Sequence, residues 1–324
     1  MKKIFSVIAV LALILSCLTG CGKTTNEASK YTAEPRTYVF GGSTSTGSFF
    51  VQSAAVASIW EDLGYVDTFS IEATTGSMEN LLLVSEGTAD FALASSLAVA
   101  CANEGREPYS KVQGDLSAIC YGAMSAYQFA VKADSDIYSI EDMKGRIVST
   151  GTVGSGAEQE IRELLAALGI TYDDFERVDC IGIGDGLTAL KDGKVDVAFV
   201  AAGYPNASLL EACMGADLRL VEFSDSEIET LLAALNWITP VTIPGGTYAG
   251  IENDTKTVAS MTLLLANENL PDEVIYAMTK ALYENIETLR ASNGIFDAWS
   301  FTTDMGTLIA IHPGALNYYN EAGV

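Results

Sequence analysis

A single histidine, His312, in 324 residues removes several functions at once. A histidine-rich metal centre is excluded, and a Ser-His-Asp triad could be built only on that residue. Cysteine is sparse as well. Cys17 and Cys21 lie in the opening segment, and Cys101, Cys120, Cys180 and Cys213 follow without any CxxC spacing. Each of those four stands among apolar or small residues, the setting of a buried thiol acting as a small hydrophobe, with a disulfide left open as the alternative. Basic residues are few: 18 Lys and Arg face 42 Asp and Glu, a net charge of −24. That balance argues against a nucleic-acid partner and against an electrostatic grip on anionic lipid. There is no G-x-x-x-x-G-K-[ST] loop. Gly151-Thr-Val-Gly154-Ser-Gly156 has G-x-x-G-x-G spacing, not the G-x-G-x-x-G of a dinucleotide site, so no cofactor is expected. Beyond the first residues no run approaches the roughly 20 apolar residues of a spanning helix.

What is present begins with an export signal. Lys2 and Lys3 precede an uncharged apolar run from Ile4 to Leu15, and small residues follow. Leu18-Thr19-Gly20-Cys21 resembles a lipobox. Residues 1–20 are thus expected to be a lipoprotein signal peptide, with Cys21 lipidated. Residues 21–35 would be a flexible tether, placing the protein outside the cytoplasm, held to the cell membrane by lipid alone. Loss of Lys2 and Lys3 leaves a mature net charge of −26. About 300 mature residues suggest two domains of ordinary size.

From Arg36 onward short apolar strands alternate with helix-period segments. Strands are predicted at Thr37–Phe40, Ser70–Ala73 and Asp90–Leu93, with helices over Phe49–Leu63 and from Ser77 toward Gly87. The same order recurs about 106–110 residues later, with a strand at Arg146–Ser149, a glycine loop, and a helix over Glu158–Leu168 closed by Gly169. Gly87-Thr-Ala-Asp90-Phe-Ala92 is echoed by Gly193-Lys-Val-Asp196-Val-Ala198. Two apolar segments, Tyr127–Val131 and Met261–Leu265, are placed to join the halves, ahead of a helical segment over Asp272–Leu289. The expected fold is α/β, two-lobed and hinged. Each lobe is a mainly parallel sheet flanked by helices, and a two-strand hinge joins them. Lobe I would hold residues 36–126 and 266–324, and lobe II residues 127–265.

Several segments in order resemble the TAXI family of solute receptors for TRAP transporters: Gly41–Phe50, Thr75-Gly-Ser-Met-Glu-Asn80-Leu, Gly87–Ala92, Asp142-Met-Lys-Gly-Arg-Ile-Val148, Gly154-Ser-Gly156, Ile243-Pro-Gly-Gly-Thr-Tyr248 and Ile311-His-Pro-Gly-Ala315. No single mark is specific, but the ordered set is. The resemblance implies a periplasmic-binding-protein-like (type II) fold and capture of a small polar solute, an organic acid or an amino acid of the glutamate or 2-oxoglutarate kind. Delivery would be to an ion-coupled permease whose membrane subunits, often fused, are the partner. The receptor would be a monomer and not an enzyme. Phe49-Phe50 stands where the family usually has a Tyr pair, and Ala94-Ser95-Ser96 where Gln and Asp are common, so the family's ligand does not transfer directly. A ligand-binding sensor, an ABC-type receptor and an exported enzyme on the same fold are the alternatives.

Loops rich in Ser, Thr and Gly at strand ends, each opening a helix, present backbone N–H groups and hydroxyls to a polar or anionic ligand. Four are expected to converge: 43–48, 74–77, 152–156 and 184–188. The candidate contacts are Ser43, Thr44, Thr46, Ser48, Phe50, Thr75, Gly76, Ser77, Asn80, Ser95, Gly154, Ser155 and Gly156, with Tyr127, Tyr204 and Tyr248 as aromatic candidates to close over the ligand. No arginine lies in those loops, although Arg146 or Arg162 could reach in. Glu141-Asp142 and Asp173-Asp174 read as helix caps, and Gly182–Gly186 as a tight loop capped by Asp185. His312 reads as a residue that fixes a turn. The lipid anchor is testable: in cells fed a labelled fatty acid, Cys21→Ser should abolish incorporation, and unchanged labelling would refute it.

Overall fold

The computed structural model describes residues 36–324 apart from 44, 46–47, 63–67, 108, 110, 112 and 154. The leader, Cys21 and the tether lie outside the described residues. The first half runs β1 (Thr37–Gly41), α1 (Ser48–Asp62), β2 (Thr68–Glu72), α2 (Ser77–Ser85), β3 (Phe91–Ser95), α3 (Ser96–Glu104) and the long strand β4 (Leu116–Lys132). Then come β5 (Ile147–Thr150), α4 (Gly156–Ala167), β6 (Arg177–Cys180), α5 (Ile183–Lys191), β7 (Val197–Ala202), α6 (Ala207–Gly215) and β8 (Leu218–Val221). The chain returns through α7 (Asp225–Ala234), β9 (Ile238–Ile243), the long β10 (Thr255–Asn267), α8 (Asp272–Glu284), α9 (Ile286–Ser292) and α10 (Pro313–Ala322).

The strands form one sheet in the order β2-β1-β3-β10-β4-β7-β5-β6, with β8 beside β4 and β9 beside β10. Each wing is parallel: β1 pairs with β2 and β3, and β5 with β6 and β7. The centre is antiparallel, through β3–β10, β10–β4 and β4–β7. Three successive antiparallel pairings make β3 and β7 run against each other. Ser95, the last residue of β3, pairs with Thr262 of β10; Ala202, the last of β7, pairs with Ala126 of β4, itself opposite Ala259. The carboxyl ends of the two wings therefore face one another across three residues of β10, about 10 Å of strand. The fold is α/β, with a mainly parallel curled sheet flanked by helices.

The repeated turn has a common cause. Gly87 (φ 70°) and Gly193 (φ 72°) end α2 and α5 in the left-handed conformation that glycine adopts without steric cost. Three residues further, Asp90 and Asp196 each bond the first strand of their wing twice. Asp90 N–H donates to Val39 O at 2.8 Å and its Oδ2 accepts from Val39 N at 2.9 Å; Asp196 does the same to Ile147 at 2.7 and 2.9 Å. Each carboxylate thus fixes strand register where a helix re-enters the sheet. In the first wing an aromatic cluster, with Trp60 near Phe40, Phe69 and Phe91, fills the space between α1 and the sheet. In the second, Phe129 packs on Phe199 and Phe223.

Several expectations are corrected. Gly182–Gly186 is not a loop: α5 starts at Ile183, and a Cβ on Gly186 would come within 2.5 Å of Ser149 Oγ, so the glycine admits close helix–strand packing. Asp185 sits in the first turn of α5, whose N-cap is Gly182. The segment 272–289 is broken at Asn285, which separates α8 from α9. The joining strands are far longer than their apolar cores suggested. Cys101, Cys120, Cys180 and Cys213 stand as free thiols. No described helix is long and apolar enough to cross a membrane.

Removing either register carboxylate orphans a strand N–H, which costs about 1–3 kcal/mol when buried. Asp90→Ala should lower unfolding free energy by roughly that amount and Asp196→Ala, more exposed, by less. Denaturant titration checks the order; unchanged midpoints in both variants would show that the turns do not depend on these bonds.

Candidate functional site

The helices that follow the parallel strands begin at the edge where the two wings meet, with glycine or a short polar residue at the N-cap of α2, α3, α4, α5 and α6. Ser95 caps α3, its hydroxyl accepting from Ala98 N at 3.3 Å, and Ser155 caps α4, accepting from Glu158 N at 3.2 Å. Gly76 caps α2 at φ 116°, ψ −151°, a conformation open in practice to glycine alone. Ser77 Oγ accepts from Ser95 N at 3.0 Å, joining the loops after β2 and β3. A hydroxyl that accepts a backbone bond keeps its own O–H, so Ser77, Ser95 and Ser155 can each still donate to a ligand. First-turn amides and the positive ends of the helix dipoles add a preference for an anionic group.

The predicted residues divide into those at this edge and those inside the protein. Ser43, Ser48, Phe50, Thr75, Gly76, Ser77, Ser95, Ser155 and Gly156 lie at the carboxyl ends of β1, β2, β3 and β5, all at least partly accessible. Ser43 Oγ accepts from Phe50 N at 3.2 Å, and Ser48 Oγ from Gln52 Nε2 at 2.9 Å. Thr75 donates its amide (2.7 Å) and hydroxyl (2.8 Å) to Glu79 Oε2, which holds that carboxyl below the usual range. Tyr204 is half-buried just past β7. Thr44, Thr46 and Gly154 lie outside the described residues.

Three candidates are interior. Asn80 is wholly buried: its amide donates to Gly42 O and Leu93 O, both at 2.7 Å, and its carbonyl accepts from Thr74 Oγ1 at 2.7 Å. It brackets three loops instead of presenting itself to a ligand. Tyr248 donates to Gln128 Oε1 at 2.5 Å and accepts from Asn206 N at 3.0 Å, pinning the turn before β10 against β4. Tyr127 donates to Glu160 Oε2 at 3.0 Å beneath the edge. The aromatic-lid expectation for Tyr127 and Tyr248 is corrected, since both are 1 % exposed.

The remaining motif residues are packing devices. His312 Nδ1 accepts from Gly314 N at 3.1 Å and caps α10, while burial lowers the imidazole pKa, so the ring is a neutral cap. A Cβ on Gly314 would strike Asp272 O at 2.2 Å, and one on Gly245 would strike Glu252 O at 2.1 Å. Asp142 accepts from Tyr138 N and Ser139 N, and Thr171 with Asp174 forms a capping box. Arg146 makes a two-pronged contact to Asp136, both at 2.8 Å, and Arg162 pairs with Glu158 within its own helix, so each arginine has a carboxylate partner of its own. A cavity of about 390 Å³ opens at the far edge of the first wing, lined by Arg36, Glu86, Asp90, Asp115 and Asn267 and remote from these loops.

Sequence reasoning missed two groups. Ser96 donates to Trp237 O at 2.6 Å and accepts from Met261 N at 3.1 Å, strapping the segment before β9 to the start of α3. Glu160 is 5 % exposed and accepts from Tyr127 and from Ser260 Oγ (3.1 Å) through the same oxygen; burial raises its pKa to about 7. Its place in the acid-rich run Glu158-Gln-Glu160-Ile-Arg-Glu163 gave no signal of this, because that run reads as solvated while Glu158 and Glu160 are both buried.

Residues 40–323 match the model of a family described as the NMT1-like family. Among solved structures, a TctC solute binding protein from Polaromonas is similar over 90 % of this chain and 99 % of its own, at 14 % identity and a TM-score of 0.59. The XAC2383 protein of Xanthomonas citri, bound to ATP, is similar over 88 % and 98 %, at 11 % identity and a TM-score of 0.51. The periplasmic aliphatic sulphonate binding protein SsuA of Escherichia coli covers 89 % and 84 %, at 13 % identity and a TM-score of 0.48. Identities this low show likeness of fold.

The raised Glu160 pKa fixes the sign of a pH effect. Between about pH 4.5 and 7 the unfolded chain has released this proton while the folded protein still holds it, so stability falls as pH rises through that window. Glu160→Gln, which mimics the protonated acid, should remove the fall and gain on wild type by about 3 kcal/mol at pH 8 relative to pH 4. Parallel denaturant curves at both pH values test it; equal pH slopes in the two proteins would refute it.

Proposed function

The chain belongs to the NMT1-like family, and from that premise we propose that it is an extracytoplasmic solute-binding protein. It would capture a small polar solute between two lobes and deliver it to a membrane permease. The observation that supports this most is the facing of the two wings' carboxyl ends across β10 and β4. Ligands of open α/β sheets bind outside the carboxyl ends of strands, and here two such edges point into one place.

On this reading lobe I comprises residues 36–126 and 266–324, lobe II residues 127–265, and β4 with β10 is the hinge. Long antiparallel strands suit that role because small rotations spread along the ladder displace both wings while its hydrogen bonds persist. The solute is held by hydroxyls and amides at Thr75-Gly76-Ser77 and Ser95 from one lobe and at Ser155-Gly156 from the other. The ordered motifs from Gly41 to Ala315 favour the TAXI type of TRAP receptor, with an ion-coupled permease as partner and a lipid on Cys21 as the only membrane attachment. The fold-level likeness to a TctC solute binding protein fits a carrier more readily than an enzyme.

A ligand drives closure only through a preference for the closed state. Solute retained through gentle purification, identified by mass spectrometry and added back at saturation, should reduce the radius of gyration in small-angle scattering. An unaltered profile, with binding confirmed by calorimetry, would rule out hinged capture.

A further inference from the structure

Glu160 lies one helical turn after Gly156, about 6 Å along the axis of α4, and helical side chains lean toward the N-terminus. Its carboxyl meets Tyr127 of β4 and Ser260 of β10. Tyr127 pairs with Ala201 near the end of β7, and Ser260 lies two residues beyond the Thr262–Ser95 pair that ends β3. The carboxyl thus sits on the crossing strands between the facing edges of the two wings, at the floor of the candidate solute site. Oε2 takes both hydroxyl bonds, and Oε1 takes none from the described residues.

No cation neutralises it among the described residues. Arg162 pairs with Glu158, and Arg106 with Glu104 and Glu163. From α4 itself the facing charge is Glu163, which raises the Glu160 pKa further; β4 presents the Tyr127 phenol and β10 the Ser260 hydroxyl. A carboxyl this buried, with two hydroxyl donors on one oxygen and no cation beside it, is unfavourable to the fold in its charged form unless something else uses it. Helix N-termini around it suit an anion, so a second acid at the floor would repel a simple organic acid.

We propose that Glu160 reads the charge of the solute: its carboxylate receives an ammonium or guanidinium group at the floor, while the helix N-termini above take the solute's anionic end. The preferred solute is then a zwitterion, and a keto acid of the same shape is disfavoured. This rests on the solute-binding reading of the site. In the free protein below about pH 7 Glu160 holds a proton; binding of the cationic group displaces that proton to solvent. Affinity for the zwitterion accordingly rises from pH 5 to pH 8.

The experiment is calorimetry on the purified full chain with matched pairs that differ only at the amine: L-glutamate and 2-oxoglutarate, L-alanine and pyruvate, L-leucine and 4-methyl-2-oxopentanoate. An amino member should bind more tightly than its keto partner, with proton release at pH 6 revealed by buffers of different ionisation enthalpy, a readout that needs no variant. Glu160→Gln should weaken the amino member about 10- to 100-fold, the range for a hydrogen bond to a charged group, and narrow the gap between partners. If a keto acid binds as well as its amino partner and Glu160→Gln, folded by thermal melt, leaves both unchanged, the charge-reading role is overturned while solute binding stands. If no member of any pair binds, and protein purified gently has no solute in its mass spectrum, the solute-binding reading fails and this proposal with it.

Discussion

The antiparallel ladder between β4 and β10 is the constraint on which everything else depends. Each strand continues past the other's partners, so that β3 joins one end of the ladder and β7 the other. Because antiparallel pairing reverses direction at each step, two parallel wings attached at opposite ends must point their carboxyl edges at one another. A parallel pairing at the centre would have turned the edges the same way, and no facing edges would exist.

Small residues tune that arrangement. The ladder is held from the second wing by Gln128, which bonds Ala202 O and receives the Tyr248 hydroxyl, and by Thr257, whose hydroxyl bonds Tyr127 O at 2.6 Å. From the first wing it is held by Ser96 and by Ser117, which bonds Ala266 O at 3.2 Å. These are neutral bonds, each worth about 1 kcal/mol net. A crossing held by many weak bonds is compatible with bending, whereas a few buried ion pairs would tie it to one geometry. Glu160 is the exception at this crossing, an ionisable group among neutral ones.

The acidic surface and the polar edge answer to different physics. A net charge of −24 spread over the chain is screened within about 8–10 Å at physiological salt. Helix N-termini and backbone amides act within a few ångströms, where they set the local potential. An acidic protein can therefore present an edge that favours an anionic group.

Local chemistry was legible in the sequence. The strand–helix alternation, the turns at Gly87 and Gly193, the loop that opens α4 at Ser155, and the turn fixed by His312 all depend on residues within a few positions of one another. Propensity, φ preference and capping are short-range effects, so spacing alone reveals them. Burial is not of that kind. Glu160 and Ser260 are 100 residues apart, Tyr248 and Gln128 are 120, and Ser96 and Trp237 are 141. Whether Asn80 faces a ligand or brackets loops, and whether Tyr127 closes over a site or lies beneath it, depends on which strands cross. That is decided by the collective packing of the sheet, a long-range balance that no window of sequence contains.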